Sequence, residues 1–228
     1  MKNKITYDLK LVTSIFESNN RTLIKVSKQN LESNKKAFDV FIRDSIKKSW
    51  SGVTGADNGE LAELMNIDWI FLNSIYLALF TNFENLISKL ASIVEDRIQS
   101  EIQIKDIKGN GYIDQYRKYM EMIGKINSAK RNQDWEQIDI FKLARNKITH
   151  EGGHLIKKPK SKLENHPAFR YRIDNKVLLA GSLGHIRIRE TFFLEKFTSL
   201  GKKLCNELKQ EIEKMNTTGN RVDGSAPR

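Results

Sequence analysis

Along the stretch from Leu61 to about Ile98, apolar residues return every three or four positions, which places them on one face of an α-helix. The most apolar part, WIFLNSIYLALF (Trp69 to Phe80), contains Asn73 and Ser74 and is too short to span a bilayer. A long helix with one apolar face needs other helices to cover it. The sequence therefore predicts an all-α helical bundle in a soluble, cytoplasmic protein. The pattern is carried by Leu64, Ile67, Phe71, Ile75, Leu79, Phe83, Leu86, Ile87, Leu90 and Val94.

Four other segments have helical spacing, and glycines or asparagines separate them. Residues 5 to about 52 are predicted to form a short helix and a long one, with a break at Asn19 and Asn20. The segments SGVTGADNGE and KGNGYID are predicted breaks on either side of the helix over residues 61–98. Further helices are predicted from about Asp114 to Ser128, from about Gln133 to His150, and from Glu190 to Met215.

Between the last two predicted helices, short runs of alternating character indicate a small β-hairpin. FRYRI precedes the turn DNK, and VLLA and HIRI follow it. Residues 217–228 have no apolar periodicity and are predicted to be a disordered tail. We therefore expect one helical domain over residues 1–216, in which residues 5–52 extend a core that begins at about residue 60.

The protein has a formal net charge of +11 and a single cysteine, Cys205, which suits a reducing compartment. Its first residues, MKNKITYDLKLV, lack the apolar core of a signal peptide. Residues 141–190 contain 12 Lys or Arg against 4 Asp or Glu, so most of the positive charge surrounds one segment. Such a surplus attracts polyanions, and a nucleic-acid backbone is the commonest one in a cytosol. The alternative is a solvated basic face that aids solubility.

The segment RNKITHEGGH (Arg145 to His154) lies in this basic region and fits two patterns. Its second half is H-E-x-x-H, in which two histidines on a helix bind zinc and a glutamate acts as base. That arrangement requires the helix to continue through Gly152 and Gly153, at a cost of about 1 kcal/mol each relative to alanine. The glycines predict instead that the helix ends after His150. No metal or other cofactor is therefore expected, with a zinc hydrolase using His150, Glu151 and His154 as an alternative.

The first half of the segment is R-N-x-x-x-H, and WEQIDIFKLARNKITHEGGHL resembles the signature of the HEPN superfamily (higher eukaryotes and prokaryotes nucleotide-binding). The ribonucleases of this family carry R-x-x-x-x-H, often as R-N-x-x-x-H before a glycine. The resemblance extends from about Ile67 to Met215, with a long helix, the motif helix, the basic hairpin and a closing helix in the expected order. Residues 1–52 match no signature. The resemblance implies a HEPN-type bundle and a metal-independent endoribonuclease of the toxin or antiviral-defence kind. The alternative is a non-catalytic HEPN-like module that binds nucleotides, nucleic acid or a protein.

Cleavage of RNA without a metal uses the neighbouring 2′-hydroxyl as nucleophile and needs a base, an acid and a cation. Histidine suits the proton transfers because its unperturbed pKa of about 6.5 is near working pH, and arginine suits the phosphate because its planar fork donates bidentately. His150 is thus the predicted acid–base group and Arg145 the phosphate clamp, and Asn146 would orient the imidazole or hold a phosphate oxygen. The resemblance implies a 2′,3′-cyclic phosphate and a 5′-hydroxyl as products, and a contribution from the earlier helix, for which Glu84 is the candidate.

Positions five apart lie about 140° apart around an ideal helix, so Arg145 and His150 share a face only if the last turn unwinds. Asn146 and His150, four apart, do share one. The resemblance implies a homodimer whose facing motifs supply two histidines to a composite site, and it allows a regulatory or antitoxin partner. Without any such function, the same basic residues would complement the negative end of the helix dipole.

Basic residues in and around the hairpin region are predicted to contact the RNA backbone. They are Lys147, His154, Lys157, Lys158, Lys160, Lys162, Arg170, Arg172, Arg187 and Arg189. Trp69 and Trp135 fall at core-like positions, so they are expected to pack in the interior rather than to stack on bases.

Overall fold

The structure, a computed structural model, describes residues 2–50, 58–154, 177–180 and 184–218, which are mostly helical. The helices in these residues are α1 (Lys2–Trp50), α2 (Asn58–Ile98), α3 (Tyr112–Met122), α4 (Gln133–His150) and α5 (Thr191–Thr218). Strands β1 (Val177–Ala180) and β2 (His185–Ile188) pair antiparallel, with Val177 opposite Ile188 and Ala180 opposite His185. The predicted all-α character is confirmed, and so is a small antiparallel β-hairpin before the last helix. That VLLA pairs with HIRI was not specified by the sequence.

Some predicted features lie outside the described residues. They include FRYRI and the turn DNK, most of the glycine-containing segment before α2, and residues 219–228 of the predicted tail. The last helix runs to Thr218, three residues further than expected.

The predicted break at Asn19 and Asn20 is wrong, because α1 continues through both residues. Asn20 is buried, and the Asn19 amide donates to Oδ1 of Asn82 on α2 at 3.3 Å. The Asn82 amide in turn donates to the carbonyl of Phe16 at 3.1 Å. In an isolated peptide the asparagine side chains would favour a break in the helix. Here hydrogen bonds with α2 and burial stabilise the continuous helix, so tertiary contacts override the local preference.

The predicted helix from Asp114 to Ser128 ends early, at Met122. Lys125 has a positive φ of 53°, which no helical residue adopts. The Glu211 carboxylate accepts hydrogen bonds from the backbone N–H groups of Asn127 and Ser128, at 2.6 and 2.9 Å. A side chain from α5 therefore replaces the helical hydrogen bonds that these residues would otherwise need.

By its contacts the chain divides into two compact units. Unit 1 consists of Met1–Asn19, Thr81–Glu136 and Ser199–Arg228. Its buried core includes Phe83, Leu90 and Trp135, and the Trp135 indole donates to the Ser128 carbonyl at 2.9 Å, so Trp135 packs in the core as predicted. Buried Arg117 pairs with Asp114 and Glu121 at 3.0 and 2.8 Å.

Unit 2 consists of Asn20–Phe80 and Gln137–Thr198, and aromatic rings form the centre of its core. Phe141 of α4 lies 5.0 Å, centroid to centroid, from both Phe193 and Phe197 of α5. Tyr76 and Phe80 of α2 complete the cluster, and the Tyr76 hydroxyl donates to the Phe141 carbonyl at 2.5 Å. These contacts fix the position of α4 between α2 and α5, one helical turn before the RNKITH segment.

Strand β2 uses both of its edges. One edge pairs with β1. On the other, the buried Asn73 amide of α2 donates to the Ile186 carbonyl at 3.2 Å and accepts from the Ile188 N–H at 3.3 Å. The Ile186 N–H donates to the carbonyl of Gly153, just after α4, at 2.9 Å. Because an open strand edge leaves backbone groups unpaired, Asn73 and Gly153 together take the place of a further strand.

One stretch of α2, Asn66–Ile98, is long and apolar enough to cross a membrane by length and composition alone. Half of its most apolar 18-residue window is buried inside the protein, as in the core helix of a soluble protein. The predicted soluble, cytoplasmic location is compatible with this burial and stays a prediction.

Candidate active site

The RNKITH segment occupies the last turn and a half of α4, as predicted. Arg145 is half-buried, and its guanidinium lies over the Phe80 ring, 6.0 Å from the ring centroid. Its Nη1 donates to Oδ1 of Asn146 at 3.0 Å. An aromatic face and an amide oxygen thus restrict the long side chain of the predicted phosphate clamp.

The helix stays regular up to His150, so the unwinding of the last turn that would bring Arg145 and His150 onto one face does not occur. The Lys147 carbonyl still accepts from the N–H of Glu151 at 3.1 Å, four residues on. Arg145 and His150 therefore keep their separation of about 140° around the axis.

The structure gives Asn146 and Lys147 partners within the helix. Asn146 accepts from Arg145, and Lys147 pairs with Glu151 at 2.9 Å, with only 12% of the Lys147 side chain exposed. Asn146 is thus bound to the arginine rather than to an imidazole, while His150 is exposed. The Lys147 ammonium thus pairs with the carboxylate of Glu151, the residue that follows His150.

After His150 the chain turns through Gly152 and Gly153, whose φ angles are +58° and +81°. The Gly153 N–H donates to the Lys147 carbonyl at 2.8 Å and closes the helix. The predicted end of α4 at these glycines is confirmed. His150 and His154 are therefore not one turn apart on a regular helix, as the H-E-x-x-H pattern requires. Among the described residues, no three His, Cys, Asp or Glu side chains lie close enough together to hold a metal ion.

Beyond the glycine turn, two histidines meet. The rings of His154 and His185, the first residue of β2, lie 5.0 Å apart, centroid to centroid, at 71°. The ring of Trp69 on α2 lies 4.9 Å from the His185 ring, centroid to centroid, at 82°, and Cζ of Arg187 lies 5.1 Å from the centroid of the Trp69 ring. We call His154, His185, Arg187 and Trp69 the histidine cluster. Trp69 was predicted to pack in the interior, but it is only half-buried and packs against these polar residues.

The surroundings of His185 in the cluster lower the pKa of its imidazole. Burial lowers the pKa of His185, His154 and Arg187 lower it further, and a hydrogen bond to the backbone of Gly152 opposes them. Nδ1 of His185 has no hydrogen-bond partner, whereas its Nε2 faces the glycine turn, so Nε2 is the donor to Gly152. His185 thereby connects β2 to the turn that ends the RNKITH helix.

Three nitrogens of the histidine cluster are buried without a hydrogen-bond partner: Nδ1 of His154, Nδ1 of His185 and Nε of Arg187. They are half of the unpartnered buried side-chain atoms in the described residues. Buried polar side-chain atoms in native proteins are usually hydrogen-bonded, and exceptions are explained by a catalytic role or by a bound water or ion. Three such atoms in one cluster therefore mark it for closer attention.

The remaining predicted residues are distributed as follows. Glu84 is half-buried on α2 and belongs to unit 1, whereas Arg145, Asn146 and His150 belong to unit 2, so its role stays a prediction. Arg189 follows β2 and is exposed. Lys157, Lys158, Lys160, Lys162, Arg170 and Arg172 lie outside the described residues.

The sequence analysis did not single out His185. A local signal for it exists: in HIRI the histidine and Arg187 alternate with buried Ile186 and Ile188, so they share the other face of β2. The meeting with His154 has no such signal, because the two residues are brought together by the docking of β2.

Comparisons with models of known protein families, with curated proteins and with solved structures found no match to this chain.

Replacing Gly153 by alanine is expected to lower the free energy of unfolding by about 1–3 kcal/mol, because φ there is +81° and the new carbon would lie 3.0 Å from Nε2 of His185. Gly152→Ala is the matched control, since its φ is also positive but its new carbon meets only Cδ2 of His154, at 3.8 Å. Urea unfolding should show the larger loss for Gly153→Ala. Equal losses would mean that backbone strain alone, and not the contact with His185, accounts for the effect.

Proposed function

We propose that this protein is a metal-independent endoribonuclease of HEPN type, acting in the cytoplasm as a toxin or in antiviral defence. The observation that carries the proposal is the end of α4. There a restrained arginine and an exposed histidine of an R-N-x-x-x-H motif lie on its last turn and a half, just before a left-handed glycine turn. The surplus of positive charge in residues 141–190 supports an RNA backbone as the ligand.

The contacts at Arg145 support its role as phosphate clamp. Its guanidinium is held between the Phe80 ring and the Asn146 amide, so less side-chain freedom is lost when it binds a phosphate. The guanidinium keeps its positive charge at all working pH values, and two parallel N–H groups can donate to two phosphate oxygens. As negative charge grows on phosphorus in the transition state, this attraction strengthens and lowers the barrier.

The exposed imidazole of His150 supports the proton transfers. In the reaction, a base removes the proton of the 2′-hydroxyl, the 2′-oxygen bonds to phosphorus, and the bond to the 5′-oxygen breaks. An acid then protonates the leaving 5′-oxygen, which leaves a 2′,3′-cyclic phosphate and a 5′-hydroxyl. We propose that two copies of the chain face each other, so that one His150 acts as base and the other as acid. A regulatory or antitoxin partner would restrain such an enzyme in the cell.

The proposal is tested by incubating the purified protein, in excess EDTA, with an RNA oligonucleotide and with its fully 2′-deoxy counterpart. We expect cleavage of the RNA alone, because the deoxy strand lacks the nucleophile, and a 2′,3′-cyclic phosphate end that mass spectrometry identifies. Loss of cleavage in EDTA would contradict the metal-free mechanism. Salt-dependent binding of both strands without any cleavage would instead favour the non-catalytic module that binds nucleic acid.

A further inference from the structure

We propose that His185 is a positioning residue for the RNKITH segment: from β2 it holds the Gly152–Gly153 turn and His154 in place, and a proton on its imidazole weakens that hold. The role within catalysis rests on the proposed ribonuclease function. We call the contacts of β2 with this turn the clamp, which is distinct from the phosphate clamp of Arg145. The clamp does not depend on the proposed function, because its contacts occur in the free protein.

Four contacts of β2 with the glycine turn carry the proposal. The His185 ring forms a hydrogen bond with the backbone of Gly152. Its Nε2 lies 3.0 Å from the position that a Cβ atom at Gly153 would occupy. The His185 backbone forms a β-bridge with His154, and the next N–H, of Ile186, donates to the Gly153 carbonyl at 2.9 Å. Every residue from Gly152 to His154 is therefore in contact with β2, starting two positions after His150.

The clamp suits the neutral imidazole and opposes the charged one. The titratable and charged groups that face His185 are His154, from the turn after α4, and Arg187, from its own strand, whereas α2 contributes the indole of Trp69. A proton on His185 would add a positive charge near the Arg187 guanidinium at a half-buried position. Burial and these neighbours therefore keep the pKa of His185 below its usual value.

Because the pKa of His185 is lower in the folded protein than in the unfolded chain, acid destabilises the clamp. The unfolded chain takes up the proton at a pH near 6.5, whereas the clamped histidine does so only at a lower pH. The clamp is thus fully stable above about pH 6.5, and its stability falls as the pH drops from there through the pKa of the folded state.

The substitution His185→Gln separates the contact with the glycine turn from the uptake of a proton. The side-chain NH₂ of glutamine can donate to the Gly152 carbonyl as Nε2 does, but it takes up no proton in the neutral range. Alanine can do neither. The comparison of His185→Gln with His185→Ala therefore tests positioning and pH sensitivity independently.

The first measurement is the tryptophan fluorescence of the full chain between about pH 4.5 and 7.5, because a protonated imidazole quenches an indole in contact with it. Trp69 touches His185, so we expect a transition with a midpoint below about 6.5. The transition should vanish in His185→Gln and in Trp69→Phe, and persist in His150→Ala. A transition that survives in His185→Gln, or no transition in the wild type, would overturn the proposal whether or not the protein cleaves RNA.

The second measurement is the rate of RNA cleavage by the same variants. At about pH 7.5 His185→Ala should be slower by on the order of 10- to 100-fold, since small displacements of reacting groups have effects of this size, while His185→Gln retains most of the activity. As the pH falls, the rate of His185→Gln relative to wild type should rise. Wild-type rates in His185→Ala would overturn the positioning role. A His185-dependent transition in a protein that cleaves no RNA would support the clamp and contradict the ribonuclease.

Discussion

His150→Ala is expected to slow RNA cleavage by about 10²- to 10⁴-fold, the range that general acid–base groups contribute. His150 is the last residue of α4 and is exposed, so its removal opens no cavity and leaves no buried group unpaired. The free energy of unfolding should therefore change by less than about 0.5 kcal/mol, as for other surface substitutions. Single-turnover cleavage rates, together with urea unfolding, measure the two effects separately.

Thr149→Ala is the matched control for this substitution. Thr149 is the preceding residue, is also exposed, and donates only to the Arg145 carbonyl of its own helix, at 2.9 Å. It perturbs the last turn of α4 without removing a group that titrates near neutral pH. Equal losses of activity in the two variants would indicate that the geometry of the turn matters and the imidazole does not, which would contradict the role assigned to His150.

Asn73→Leu is expected to lower the free energy of unfolding by about 2–4 kcal/mol, because it leaves the Ile186 carbonyl and the Ile188 N–H without partners at a buried edge. Leucine adds apolar surface to a helix that is already apolar there, so an analysis of the sequence alone would judge it harmless. The amide of Ile188 should also lose its protection from hydrogen exchange. Since β2 carries His185, the same substitution should weaken the fluorescence transition.

Ser74→Ala provides the comparison on the next residue of α2. Ser74 is exposed and its hydroxyl donates to the Ile70 carbonyl of its own helix, at 2.9 Å. Its replacement should change the free energy of unfolding by less than about 0.5 kcal/mol. Similar stability of Asn73→Leu and Ser74→Ala would show that the amide does not anchor β2.

The helices could be predicted where one residue spacing decides the structure. The apolar positions of α2 and the span of α4 follow from a periodicity of three to four residues, which is a local property. The predicted break at Asn19 failed because the amide of Asn82, distant in the sequence, binds it. The early end of α3 was missed because the Glu211 carboxylate, from the last helix, binds the residues that follow.

In the candidate site, too, the features set by neighbouring residues could be predicted and those set by distant residues could not. Arg145, His150 and the glycine turn were predicted because a motif and a left-handed backbone preference are contained within ten residues. The hydrogen bond from Arg145 to Asn146 was not predicted, because adjacent side chains rarely meet on a regular helix. The predicted role of Asn146, at an imidazole or a phosphate oxygen, stays a prediction. His185 was missed because the residues that contact it, Trp69, His154 and the glycine turn, are distant from it in the sequence.

By itself, then, the sequence determined a helical chain, the residue at which α4 ends, and an arginine and a histidine on its last turns, since each depends on the conformational preferences of neighbouring residues. Only the tertiary structure decided that Asn73 completes the edge of β2 and that His185 meets His154, Trp69 and the glycine turn. Those contacts join α2, α4 and β2. They form because packing of the aromatic core brings these distant segments together, and no local pattern encodes such a meeting.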